Sequence, residues 1–386
     1  MFSKRVPEDL SPNSIARALE AKGGVGHDLT ESNPTRCGFE WPPELFQGLS
    51  SAEALTYRPD PLGILVAREA VAQHYRGRGV AVDPERIVLT ASTSEAYGFL
   101  FKLLCDPGAT VLSPAPSYPL FEHLARLEGL RIRTYTLGPE AKWQPEVIEP
   151  GDVRPRALVA VHPNNPTGSY LHPVSADRVV GACQADDMAL IVDEVFYDYR
   201  FTSENPAPSF AGRDDVLTFT LGGLSKSLGL PQLKLSWIVV AGPDDRVQSA
   251  LDRLAFVADN YLTVSTPVQL ALPRLFRDAT VVSTAILERC NANLSTLERV
   301  AADMRGVTVI RPEGGWSVCL RFPAVADEET LVLELIEHDD VAVHPGYFFD
   351  FPGDGYLVIS LLPAPEIFTE GTRRLLRRLA QTYSHG

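Results

Sequence analysis

A lysine sits among small residues in the stretch Gly222-Gly223-Leu224-Ser225-Lys226-Ser227-Leu228-Gly229-Leu230-Pro231. It follows an apolar run, Val216 to Leu221, that reads as a buried strand, so Lys226 falls just past a strand end. A turn of small residues there lets another molecule approach the backbone. A lysine so placed can be desolvated and react as a free amine, which is what Schiff-base chemistry needs. Alone, the stretch also describes a solvated loop lysine. Upstream, Asn165-Pro166-Thr167-Gly168 and Asp193-Glu194 change the reading, because an amide, a strand-end carboxylate and a lysine arrive in that order. Ser92-Thr93-Ser94-Glu95 reads as a helix-capping box, and the same helix N-terminus offers N–H groups and hydroxyls to an anion.

The elements that must position these groups alternate from Arg86 onward. Apolar strands are predicted at 87–90, 110–112, 157–161, 189–192, 216–221 and 235–241, with helices at 94–105, 119–128 and 175–185 between them. Near-continuous apolar strands covered by helices on both faces imply an α/β domain with a mostly parallel sheet. Ligands of such sheets bind at the carboxyl ends of strands, where Ser92, Asn165, Asp193 and Lys226 all fall. Ser11-Pro12 reads as the start of a first helix, stopped by Gly23-Gly24, and a long polar coil follows from Glu31 to Pro43. Residues 62–75 carry helical periodicity, and 243–302 read as mainly helical. From about Gly306 a smaller α+β pattern begins, with strands at 307–310, 317–321, 341–344 and 356–361, a helix at 328–337 and a helix to the end of the chain. The expected division is 1–45 as an N-terminal segment joining the small domain, 46–285 as the large domain, and 286–386 as the small C-terminal domain.

Composition bounds the partners. The chain has 386 residues and a formal net charge of −14, which argues against nucleic acid, whose phosphates need a basic surface. Five cysteines with no metal-ligand spacing read as free thiols in a reducing compartment, and no metal is expected. No apolar run approaches a membrane span, and the N-terminal stretch lacks the apolar core of a signal peptide. The expected location is cytoplasmic.

With these motifs in order, the chain resembles the fold-type I, class I/II pyridoxal phosphate (PLP) aminotransferases. The likeness runs from about Asp28 to the C-terminus through Leu29-Thr30-Glu31-Ser32-Asn33-Pro34, Tyr57 with Gly63, Ser117-Tyr118-Pro119, Asn165-Pro166-Thr167-Gly168, Asp193-Glu194-Val195, Ser225-Lys226, Gly314-Gly315 and Pro345-Gly346. It implies PLP held as a Schiff base on Lys226, which then serves as the base that moves the substrate proton. It implies Asp193 on the pyridine nitrogen, Asn165 on the phenolic oxygen, Tyr118 stacked on the ring, and Ser92, Thr93 and Ser225 at the cofactor. Tyr57 would reach the phosphate of a neighbouring subunit, giving a homodimer with shared active sites. Ser32, Asn33 and Arg36 would meet the substrate.

Four positions depart from the family pattern. Phe196 stands where a tyrosine usually donates to the phenolic oxygen; Tyr197 or Tyr199 could substitute if the chain turns there. Gly223 replaces a hydroxyl residue three before the lysine. Lys234 replaces a phosphate-anchoring arginine, keeping the charge but losing the bidentate fork. Val358 replaces the arginine that clamps the substrate carboxylate, and Arg36 is the candidate substitute. The resemblance implies transfer of an amino group between an amino acid or amine and a 2-oxo acid. A PLP-dependent lyase or cyclase of the same fold is the alternative, and a non-catalytic PLP-sensing module is a more distant one.

Overall fold

The apolar runs do form the strands on which the site is built. The computed structural model describes residues 1–386 except Pro150, 203–205, 324–326 and 385–386. In chain order the strands are β1 (His27–Asp28), β2 (Ile87–Thr90), β3 (Thr110–Ala115), β4 (Arg131–Thr136), β5 (Ala157–Val161), β6 (Ala189–Asp193) and β7 (Thr218–Gly223). They continue with β8 (Ser236–Ala241), β9 (Thr308–Ile310), β10 (Ser317–Arg321), β11 (Val341–Ala342), β12 (His344–Pro345) and β13 (Tyr356–Ser360). The large sheet has the order β2-β8-β7-β6-β5-β3-β4. Within it β8 is antiparallel to both neighbours, and the other strands share one direction.

Strands β2, β5, β6, β7 and β8 are buried along their whole length, as apolar strands covered on both faces must be. The two faces separate with period two. Ala157, Val159 and Val161 pack with Phe99 and Leu100 of the helix Thr93–Leu104, while Leu158 and Ala160 pack with Val179 and Val180 of the helix Pro173–Asp186.

The strand β4 was not predicted. Its sequence, Arg-Ile-Arg-Thr-Tyr-Thr, is polar because it is the exposed sheet edge, yet it pairs with β3 from Thr110 to Ala115 and so extends that strand past the predicted 112. Gly222 and Gly223 were expected in a turn and instead finish β7. Gly222 faces Trp237 across the β7–β8 ladder, and a Cβ at 222 would lie 2.5 Å from the indole nitrogen. Overpacking of that kind costs about 1–3 kcal/mol. The first helix is Ser14–Lys22, with Asn13 rather than Ser11 as its cap, because the Asn13 side chain accepts the Ala16 N–H.

The C-terminal part forms an antiparallel sheet, β12-β13-β10-β9, and β1 joins β11 in parallel through His27–Val341 and Asp28–Ala342. The helix Thr280–Ala301 leads into it, burying Val282, Ile286, Cys290, Leu294 and Leu297 against that sheet's core. The final helix is Pro365–Ser384, and the last two positions lie outside the described residues.

Because β8 runs opposite to its neighbours, its first residue, Ser236, lies at the same end as the carboxyl ends of β5, β6 and β7. That end carries the site.

Candidate active site

The loops after the strands converge on a cavity of about 160 Å³ lined by Thr93, Tyr118, Asn165, Asp193, Phe196, Ser225, Lys226 and Ser32, all named from the sequence. Lys226 lies in the single helical turn Leu224–Ser227 that follows β7. Its carbonyl accepts the Tyr199 hydroxyl at 2.7 Å, and the Ser227 hydroxyl donates to the Gly223 carbonyl at 2.9 Å, so the turn is held from both sides. The amine lies 4.8 Å from the centre of the Trp316 ring and 5.4 Å from that of Phe196. Burial pushes its pKa down to about 8, against the pull of Asp193 in the other direction. At neutral pH this raises the neutral fraction, the form an amine nucleophile requires, to about one in ten, far above that of an ordinary lysine.

Asp193 ends β6, and backbone alternation aims it and Glu194 to opposite sides. Asp193 faces the cavity, where burial pushes its carboxyl up to about 6. The Val195 N–H at 3.1 Å and the Tyr97 hydroxyl at 3.2 Å donate to its two oxygens and, with the charge of Lys226, hold the shift back. Glu194 points away and joins a buried network with Arg78 and Asp198, accepting from Ser209 at 2.6 Å and the Phe210 N–H at 2.7 Å.

Neighbouring asparagines divide their work. Asn164 ties the turn together, donating to the Pro116 carbonyl and accepting the Thr167 hydroxyl at 2.8 Å. The Asn165 side chain lines the cavity and has no hydrogen-bond partner among the described residues. The turn is pressed against the other half of the molecule: the Gly168 carbonyl accepts the Glu313 and Gly314 N–H groups. Gly168 has φ +70°, and a Cβ there would meet the Gly314 carbonyl and the Pro312 ring. This seam brings Trp316 over Lys226.

Other expected residues lie elsewhere. Ser92 caps the helix Thr93–Leu104, its oxygen taken by the Glu95 N–H at 3.1 Å, while Glu95 reaches back to the Ala91 N–H at 2.7 Å. That is the expected box shifted by one donor. Tyr197 packs under the Arg78 guanidinium and Tyr199 bonds the lysine carbonyl, so neither replaces the phenol missing at Phe196. Asn33 caps the short helix Pro34–Arg36. The Arg36 guanidinium is 75% exposed and paired with Glu31 at 3.3 Å, outside the cavity lining. Lys234 is exposed, with φ +49°. Tyr57 is 72% exposed in a separate crevice with Arg58 and Thr263. Val358 is buried in the core, paired with Cys319 across the ladder. The sequence reading missed Trp316, Ser317, Ser360, Ser236 and Tyr97; only Trp316, next to Gly314-Gly315, carried a local signal.

An amine, a carboxylate and an unpartnered amide on one cavity fit a pyridine aldehyde of the PLP type, whose aldehyde, ring nitrogen and phenolic oxygen need those three groups. The family comparison agrees: the pattern of aminotransferase class I and II matches residues 42–367. Glutamate-pyruvate aminotransferase AlaA of Haemophilus influenzae is 24% identical over 379 residues, 95% of this chain and 93% of its own. An alanine aminotransferase of Mycobacterium tuberculosis is 26% identical over 366 residues, 90% of this chain and 84% of its own. Among solved structures, alanine aminotransferase from Pyrococcus furiosus has a TM-score of 0.87 at 23% identity, over 99% of this chain and all of that one. The chain belongs to the class I and II aminotransferases. It is a PLP-dependent aminotransferase of the α/β fold whose large sheet is described above.

Proposed function

We propose that the enzyme moves an amino group between an amino acid or amine and a 2-oxo acid, with Lys226 as the covalent attachment point. The observation that carries this is the pair Lys226 and Asp193, buried on one cavity, with pKa values of about 8 and about 6 set by burial. The bound cofactor supplies the electron sink that makes a substrate carbon acidic. With the cofactor bound, Asp193 would hold a proton on the ring nitrogen, Asn165 would donate to the phenolic oxygen, and Tyr118 would lie against the ring. Thr93 and Ser225 would hold the phosphate. The free Lys226 amine would move the substrate proton, and the aromatic walls of Phe121, Phe196 and Trp316 exclude water from it.

The names of the relatives favour a small amino acid donor, alanine or glutamate, with pyruvate or its counterpart as acceptor. Lys226 is the one cation among the described residues lining the cavity. The exposed Tyr57, turned away from its own cavity, supports a homodimer in which it serves the partner's site. The pairing of β1 with β11 supports a small domain built from both termini, 1–45 with 286–386, beside a large domain of 46–285. Five free cysteines and no disulfide among the described residues support a cytoplasmic setting. The test is a donor screen on the PLP-loaded enzyme: one equivalent of 2-oxo acid and loss of the visible band per site is expected. Release of ammonia with the band retained would show elimination instead.

A further inference from the structure

We propose that Ser236 supplies a hydroxyl for the cofactor phosphate, carried across the β7–β8 ladder from the neighbouring strand into the place of the hydroxyl residue that position 223 lacks. The inference rests on the cofactor reading and concerns the phosphate monoester of PLP.

Gly223 and Ser236 are direct cross-strand partners. Their side-chain positions overlap: a Cβ built on Gly223 would collide with Ser236 Oγ and lie 3.0 Å from its Cβ. A side chain at 223 would therefore force Ser236 to turn its hydroxyl away or the strands to shift. With glycine at 223, the Ser236 hydroxyl occupies the space a residue at 223 would have used.

Ser236 is 1% exposed and lines the cavity that Lys226 faces, beside Gly223, Ser225 and Thr93. Among the described residues its Oγ makes no hydrogen bond, and it is not one of the fully enclosed polar atoms left unpaired, so it opens onto the cavity. A hydroxyl with no protein acceptor at the wall of a ligand cavity is free to donate to a ligand. Thr93 opens the helix Thr93–Leu104, whose free N–H groups and dipole favour an anion at the same wall. The neutral hydroxyl donor thus meets a doubly charged acceptor, a hydrogen bond of the stronger kind.

The test is titration of the cofactor-free enzyme with PLP and, separately, with pyridoxal, which has no phosphate. Ser236→Ala keeps the Cβ and removes the hydroxyl. It is expected to weaken PLP binding about ten-fold or more, the scale of one charge-assisted hydrogen bond, and to leave pyridoxal binding unchanged. Gly223→Ser alone should lose PLP affinity through the collision. The double variant Gly223→Ser, Ser236→Gly returns the hydroxyl to the first strand and should recover most of it. Equal PLP binding by Ser236→Ala and wild type would overturn the proposal, as would equal losses for PLP and pyridoxal. A wild-type protein that takes up PLP but shows either result refutes the Ser236 role alone. A wild type that takes up neither compound on Lys226 refutes the cofactor reading and this proposal with it.

Discussion

The Lys226 amine lies 4.8 Å from the centre of the Trp316 ring, though one follows β7 of the large sheet and the other precedes β10 of the small one. The lysine's lowered pKa comes first from burial, so the indole that closes the cavity helps to lower it even as its π-face favours the charged form. Trp316→Ala should admit water and raise the amine's pKa toward the ordinary lysine value of ~10.4. The pH midpoint for covalent capture of pyridoxal by the cofactor-free enzyme reports it. An unchanged or lower midpoint would mean that the ring does not desolvate the amine.

Asp193 gives a pH dependence with a definite sign. An unfolded aspartate titrates near ~3.9, and this one at about 6 when folded, so the folded state holds its proton more tightly. The resulting stabilisation is complete below about pH 4 and is lost as pH rises through about 6. Cofactor-free Asp193→Asn should therefore be more stable than wild type at pH 8, by about 3 kcal/mol at most, with the advantage gone at pH 4. Denaturant unfolding at the two pH values measures it. The same variant should bind PLP more weakly, which separates the site's cost from its use.

Arg36 is expected to matter little. Its exposed pair with Glu31 is of the kind worth least, and its guanidinium does not line the cavity. Arg36→Ala should lower kcat/KM for an amino acid donor by less than about ten-fold, well short of the loss of a buried charged hydrogen bond. A loss of a hundred-fold or more for the amino acid, with none for its decarboxylated amine, would show that the arginine swings in to hold the carboxylate.

Phe196 lines the cavity and packs against Trp316 at 5.3 Å, so it offers no hydroxyl at the position where the family pattern has a tyrosine. Phe196→Tyr should place a hydroxyl there and stabilise the phenolate. The visible band of the loaded enzyme would then change at a lower pH than in wild type. A fixed midpoint would show that the new hydroxyl does not reach the oxygen.

The placement of residues at the ends of apolar strands was legible in the sequence: Asn165, Asp193 and Lys226 each follow or end a buried strand that announces itself by composition, and they meet on one cavity. The same signal failed at β4, whose arginines and threonines look like loop because one face meets water. Ser236 was invisible for a different reason. Its place beside Gly223 depends on β8 running antiparallel, and strand direction is a long-range property that the residues of β8 do not encode locally. Tyr97 lies on a helix face indistinguishable from core until the fold sets its hydroxyl on Asp193. Arg36 is the converse case: its side-chain type and its coil suit a carboxylate, but the sequence does not show Glu31 paired with it.

The most direct test of the whole account is reduction of the PLP-treated enzyme with borohydride, followed by peptide mass mapping. The pyridoxyl mass should appear on the peptide containing Lys226, at about one equivalent per chain, and vanish together with turnover in Lys226→Ala. A label on another lysine, or a Lys226→Ala enzyme that keeps both label and activity, would contradict it.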